Sequence, residues 1–214
     1  MQGWQKVHDR ISFHIVTEED KLEKFKTRLA GYSDVSIVAV PKCFSPSKAK
    51  YKARALEYFR ISSKLTSADW VLHLDEETFV DAYGLQTCVD LIERSSVEFA
   101  QGYIFYNHHA YWGNWFLTFG DIIRVTDDLG RYQWQGNCLG KPLFGVHGSF
   151  FLTNGEVENT TTWDTDNLVE DYWFAKRVCV LRDLSSWTIS LPSLFLLSYS
   201  SLSFPRLQIL ILRD

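Results

Sequence analysis

Three consecutive carboxylates, Asp75-Glu76-Glu77, end the apolar run Trp70-Val71-Leu72-His73-Leu74 and are followed by Thr78. Adjacent carboxylates repel one another, and hard oxygen donors suit Mg²⁺ or Mn²⁺, so Asp75 and Glu77 are a candidate pair of metal ligands. A local reading stands beside this one: Asp75 or Thr78 caps the helix that follows, and Glu76 and Glu77 favour its positive end. A second acidic pair, Glu170-Asp171, precedes Trp173, Phe174, Ala175 and Arg177, and taken alone is an ordinary acidic first turn of a helix. Its company changes its meaning. A hard-cation cluster, a basic stretch with Lys48, Lys52 and Arg54, and a distant carboxylate together suit transfer from a nucleotide-activated donor. In such a reaction a metal neutralises the departing diphosphate while a carboxylate deprotonates an acceptor hydroxyl. The segment Gly145-Val146-His147-Gly148-Ser149 adds glycines that admit close backbone approach, and a histidine that is either an acid/base or ligand group or a structural residue beside a strand.

These residues need elements to hold them. Trp70 to Leu74 reads as a buried strand, and in an open α/β sheet ligands bind at the carboxyl ends of the strands, where the acids fall. Ile11 to Val16 and Val35 to Val40 read as two earlier strands. Leu22, Phe25 and Leu29 mark a helix closed by Gly31, and Ala49, Ala53, Leu56 and Phe59 mark a second one bearing the basic residues. Leu85, Cys88, Val89 and Ile92 predict a third helix and Phe99 to Tyr106 a fourth strand. The alternation predicts an α/β fold whose mostly parallel sheet is covered by helices on both faces. Neither a Gly-x-Gly-x-x-Gly turn nor a P-loop is present, which speaks against a dinucleotide oxidoreductase or an ATPase. In the second half, Trp112, Trp115, Phe116, Phe119, Ile122 and Ile123 form a helical stripe, read as core, and Arg131 to Lys141 reads as loop.

The 214 residues suit one domain with a real core. A net charge of −4 argues against nucleic acid as a partner, while eight tryptophans suit stacking on sugars or bases. Four scattered cysteines, Cys43, Cys88, Cys138 and Cys179, show no zinc spacing and read as reduced, mostly buried thiols of a cytosol-facing domain. The polar first ten residues show no signal peptide.

The sequence resembles the family 2 glycosyltransferases, and within them the egghead-type β-1,4-mannosyltransferases of glycolipid synthesis. The residues that carry the resemblance are Lys52-Ala53-Arg54-Ala55-Leu56, Leu74-Asp75-Glu76-Glu77-Thr78, Gln101-Gly102-Tyr103-Ile104, Asp121-Ile122-Ile123-Arg124, His147-Gly148-Ser149-Phe150 and Glu170-Asp171, in family order. The resemblance implies a GT-A fold, Rossmann-like with a loop-rich acceptor half, and an inverting single displacement from GDP-mannose to a glycolipid such as glucosylceramide, with Mn²⁺ or Mg²⁺. It implies donor binding by Thr17, Lys52 and Asp75, metal binding by Asp75 and Glu77, and Asp171 as the base. His147, Gly148, Ser149 and Glu170 fall at the acceptor. It further implies attachment to Golgi or endoplasmic reticulum membranes with the catalytic domain facing the cytosol. Rivals of other classes are a non-catalytic relative that binds a nucleotide sugar, and a lectin-like module built on the tryptophans.

The chain departs from the family after the base, where a Q-x-x-R-W motif is absent. We divide the sequence into a catalytic domain, residues 11–177, and a divergent Ser/Leu-rich tail, residues 178–214, whose composition fits an alternative C-terminus. Leu184 to Pro205 carries no charge but has many serines and two prolines, which makes a weak membrane span. Ser185 to Pro205 is expected to pack poorly, and removal of the residues after Arg177 to improve solubility. Asn159-Thr160-Thr161 would accept a glycan only in a lumen.

Overall fold

A computed structural model describes residues 11–75, 78, 80–94, 97–104, 115–141, 143–181, 187–189 and 206–212. The first strand, β1 (Ile11–Glu18), leads through a short turn into α1 (Leu22–Leu29), and β2 (Val35–Val40) into α2 (Tyr51–Ser63). The strand that ends in the acids, β3 (Asp69–Asp75), is followed by α3 (Ala82–Arg94) and by the short β4 (Phe99–Gln101). Next come α4 (Trp115–Trp134), β5 (Phe150–Asn154), α5 (Gly155–Thr161) and α6 (Glu170–Leu181), then β6 (Trp187–Ile189) and β7 (Arg206–Leu212).

The seven strands form one sheet in the order β2-β1-β7-β3-β5-β4-β6. β1 pairs in parallel with β2 and β7, β7 with β3, and β4 with β6, whereas β5 runs antiparallel to both β3 and β4. The alternation along β3 explains why both faces need cover. Val71 joins an apolar cluster with Leu56, Phe59, Val157, Trp163 and Phe174 from α2, α5, α6 and the α5–α6 connection. Trp70, Leu72 and Leu74 point the other way and pack with Leu85, Val89 and Ile92 of α3 and with Ile209 of β7. This is the mostly parallel, two-sided α/β architecture that the sequence pattern predicts.

Three expectations are corrected. The aromatic stripe of α4 is not core: Trp115 is 71% exposed, Phe116 72% and Phe119 60%, and Ile122 and Ile123 are exposed too. The helix turns the opposite side inward, burying Thr118, Asp128 and Tyr132. Arg131 to Lys141 is largely helical, since α4 runs to Trp134 and continues as a π-helical turn, Gln135–Leu139, ended by Gly140 at φ 58°. Two of the four free cysteines, Cys43 and Cys138, are exposed. Beyond Arg177, α6 continues to Leu181 and the sheet takes β6 and β7 from the C-terminal segment. β7 pairs on both edges, so the described part of the tail is structural.

Residues 182–186 and 190–205 of the tail lie outside the described residues, as do Trp112 and the end of the predicted fourth strand. No described helix is long and apolar enough to cross a membrane. Thr161 of the sequon is buried in α5.

Candidate active site

The register across the sheet brings the carboxyl ends of three parallel strands into one row, with Leu212 of β7 paired both to Val16 of β1 and to Asp75 of β3. Asp75 thus stands at the rim, the last residue of its strand. It caps nothing. The N-terminus of α3 is capped by Asp81, whose Oδ1 accepts from the Gly84 amide at 2.7 Å, so the capping reading of Asp75 falls and the ligand-facing one remains.

Lys52 reaches Asp75 from the first turn of α2. Its Nζ donates to Asp75 Oδ1 at 2.7 Å and lies 3.3 Å from Glu170 Oε1. Three features fix that first turn. Asp164 Oδ1 accepts from the amides of Lys48 and Ala49 at 2.7 and 2.8 Å. Tyr51, directly before Lys52, is held at φ 51°, a left-handed conformation that costs a bulky residue energy and is maintained only by its surroundings. Arg54, two residues past Lys52, forks onto Glu18 with Nη1 2.7 and 2.9 Å from the two carboxylate oxygens, and donates to the Pro41 and Phe44 carbonyls. It is therefore a strut between α2 and the end of β1.

The opposite wall is the loop before β5. Gly148 donates its amide to Asp171 Oδ2 at 3.0 Å, and its neighbour Ser149 donates its hydroxyl to Asp75 Oδ2 at 2.5 Å. Two successive residues thereby hold the two distant carboxylates. Gly148 lets the two sides approach closely, because a Cβ there would lie 2.8 Å from Lys52 Nζ and 3.3 Å from Asp171 Oδ2 and would press the lysine head aside. Gly145 sits at φ 83° with Tyr172 against it, so α6 and this loop lock together. Glu170 and Asp171 open α6, where the helix N-terminus favours negative charge.

Electrostatics follow from these contacts. Burial alone would raise the Asp75 pKa, but the hydrogen bond and charge of Lys52, with the Ser149 hydroxyl, hold it below the usual carboxylate value. Burial alone would lower that of Lys52, yet Asp75, Glu170 and Asp171 together raise it. The ammonium is the shared positive charge of three carboxylates.

Of the residues singled out in the sequence, the structure joins Lys52, Asp75, Gly148, Ser149, Glu170 and Asp171. His147 turns elsewhere. Its Nε2 is 3.1 Å from Asp128 Oδ2 and its ring meets Tyr132 edge-on, while its amide donates to Gln101 Oε1 at 2.9 Å. Asp128, Tyr132 and Gln101 are thus functional supports that sequence reasoning passed over. Gln101 lay inside a recognised motif, and Asp128 three residues before Arg131 on a helix read as core. Thr17 lies one residue beyond the row that ends at Asp75, its hydroxyl buried and without a hydrogen bond among the described residues. Glu77, the second expected metal ligand, lies outside the described residues.

No group of three or more His, Cys, Asp or Glu side chains among the described residues forms a complete metal site. Asp75 does fit a hard cation: it is a carboxylate, about a quarter exposed, at the end of a strand. Asp75 would hold such an ion, with Glu77 as the expected second ligand, and the ion would supply charge neutralisation for a leaving group.

Comparison with known proteins places this geometry. Residues 70–198 match the family described as glycosyl transferase family group 2. The chain is 35% identical over 144 residues to beta-1,4-mannosyltransferase bre-3 of Caenorhabditis elegans, covering 64% of this chain and 31% of that protein. The same protein of Caenorhabditis briggsae matches equally, and beta-1,4-mannosyltransferase egh of Drosophila melanogaster is 31% identical over 156 residues, 70% of this chain and 34% of that one. The chain spans about a third of the length of these curated relatives. No solved structure matches it significantly. With the matched segment running from β3 through α6, and with it Asp75 and Glu170-Asp171, the chain belongs to the family 2 glycosyltransferases, of the Rossmann-like GT-A type.

Proposed function

We propose that the chain carries the catalytic centre of an inverting β-1,4-mannosyltransferase that moves mannose from GDP-mannose to a glycolipid acceptor such as glucosylceramide. The observation that carries this reading is the single cluster in which Lys52 joins Asp75, at the donor end, to Glu170 and Asp171, at the acceptor end. Asp171 is the base: with one oxygen held by the Gly148 amide and the other by that of Tyr172, the carboxylate is fixed in direction. Asp75, with Glu77, holds a Mn²⁺ or Mg²⁺ ion, Thr17 and Lys52 serve the donor, and Gly148, Ser149 and Glu170 shape the acceptor side. His147 acts there through Asp128 as a support.

The names of the nematode and insect relatives support mannose and the β-1,4 linkage. The exposed apolar residues of α4 support an acceptor with a lipid portion, since such a stripe in water is otherwise a liability. The same surface supports a setting at a membrane, which we place in the Golgi or endoplasmic reticulum with the catalytic face towards the cytosol. The test is incubation with radiolabelled GDP-mannose, Mn²⁺ and glucosylceramide in detergent micelles. A labelled glycolipid that Asp171→Asn fails to make is the expected result. Transfer from another nucleotide sugar but none from GDP-mannose would overturn the donor assignment.

A further inference from the structure

We propose that Lys52 is a displaceable internal counter-cation, which occupies the cation's place on Asp75 and must be moved aside when a divalent ion binds. The inference rests on the metal-assisted donor reading above and concerns what the chain does before the metal arrives. Both oxygens of Asp75 are engaged, Oδ1 by the Lys52 ammonium at 2.7 Å and Oδ2 by the Ser149 hydroxyl at 2.5 Å. A neutral hydroxyl coexists with a metal on the same carboxylate. An ammonium in contact with Oδ1 does not, because two cations sharing one oxygen repel at short range. The ion that takes Asp75 therefore competes with Lys52.

The displaced ammonium has somewhere to go. Glu170 Oε1 is already 3.3 Å from it, and the charge of Asp171 acts on it as well. The bare Cα of Gly148 leaves the space between Lys52 and Asp171 open. A lysine stem is flexible enough to lean from Asp75 towards α6 without moving its backbone, and Asp164 pins the chain ahead of α2 at Lys48 and Ala49. The side chains of Lys52 and Asp75 are 31% and 26% exposed, so ions reach the contact from solvent. The exchange couples the two ends of the site: a cation arriving at Asp75 sends positive charge towards Glu170 and Asp171.

Mn²⁺ binding without nucleotide, read as loss of the free-ion electron paramagnetic resonance signal, tests the competition on the full chain. Lys52→Gln should bind Mn²⁺ about tenfold more tightly than the unmodified chain, ~1.4 kcal/mol, whereas Lys52→Arg, which keeps a cation on Asp75, should not. Equal or weaker binding by a Lys52→Gln chain that melts near the unmodified one would overturn the proposal. Where that variant melts early, labelling decides: saturating Mn²⁺ should increase acetylation of Lys52 by an N-hydroxysuccinimide ester in the unmodified chain, read by mass spectrometry against its other lysines. Unchanged labelling at saturation overturns the proposal. Absence of Mn²⁺ binding in every form would overturn the metal-assisted donor reading itself, and the competition with it.

Discussion

His73 and Asp75 stand two residues apart on β3, so both point to the same face of the sheet, and each meets a partner of opposite character. His73 Nε2 lies 2.5 Å from Glu158 Oε1, Trp163 Nε1 donates to Glu158 Oε2 at 2.6 Å, and the imidazole stacks on Phe151. The side chains of His73 and Glu158 are each 2% exposed. The Lys52–Asp75 pair has the same ingredients but is roughly ten times more open to solvent. The difference separates two uses of a polar cluster. A closed one fixes how α5 packs under β3, whereas an open one holds charge where a ligand can exchange for a partner.

The comparison breaks most visibly at the open cluster's far end. Asp171→Asn should lower turnover by about a hundred- to ten-thousand-fold, the range of a base that acts only in the transition state. Donor affinity, measured by calorimetry with GDP-mannose, should stay near that of the unmodified chain. Full transfer activity in this variant would move the base elsewhere. At the closed cluster the sign is reversed, with stability lost before function. Glu158→Ala leaves the Trp163 indole and the His73 ring unpaired in the core and should cost about 3–5 kcal/mol in denaturant unfolding. A loss below about 1 kcal/mol would mean that the buried network contributes little beyond packing.

Much of this contrast was legible in the sequence. Asp75 was marked by its neighbours and by the strand before it, and Glu170-Asp171 by the helix it opens. The closed cluster was not, because nothing local pairs His73 with Glu158; α5 must dock before they meet. The exposed stripe of α4 failed for another reason. Helical spacing reports that a helix has two sides, not which one faces the sheet, and here Asp128 and Tyr132 turn inward to hold His147. The central place of β7 was equally hidden, since parallel pairing leaves no local turn signal and the residues around it read only as apolar and serine-rich.

Asp164 sharpens the comparison at an intermediate scale. Burial alone would raise its pKa, but the Ala49 and Lys48 amides lower it. A carboxylate lowered in the folded state contributes stability above its unfolded value near 3.8, and loses it as pH falls through the lower folded value. Asp164→Asn should therefore cost about 1 kcal/mol at neutral pH, and the gap to the unmodified chain should shrink under acid conditions. A gap independent of pH would assign the loss to packing. The smallest effect belongs to α4. Phe119→Ser should leave unfolding free energy within about 0.5 kcal/mol, because the ring is already exposed. A larger loss would show that the ring is covered in solution.

β7 lies between β1 and β3, with Leu207 paired to both Ile11 and Trp70. During synthesis the first three strands and α2 emerge long before residues 206–212 do. Until then β1 and β3 each present an unpaired parallel edge lined with backbone donors and acceptors, the form of surface that recruits other strands. Contacts between such distant parts of a chain also form slowly, because a long loop must close before they give any return. The nascent chain thus spends its riskiest interval with its central slot open, and a holding chaperone should engage it there, released once the seventh strand inserts.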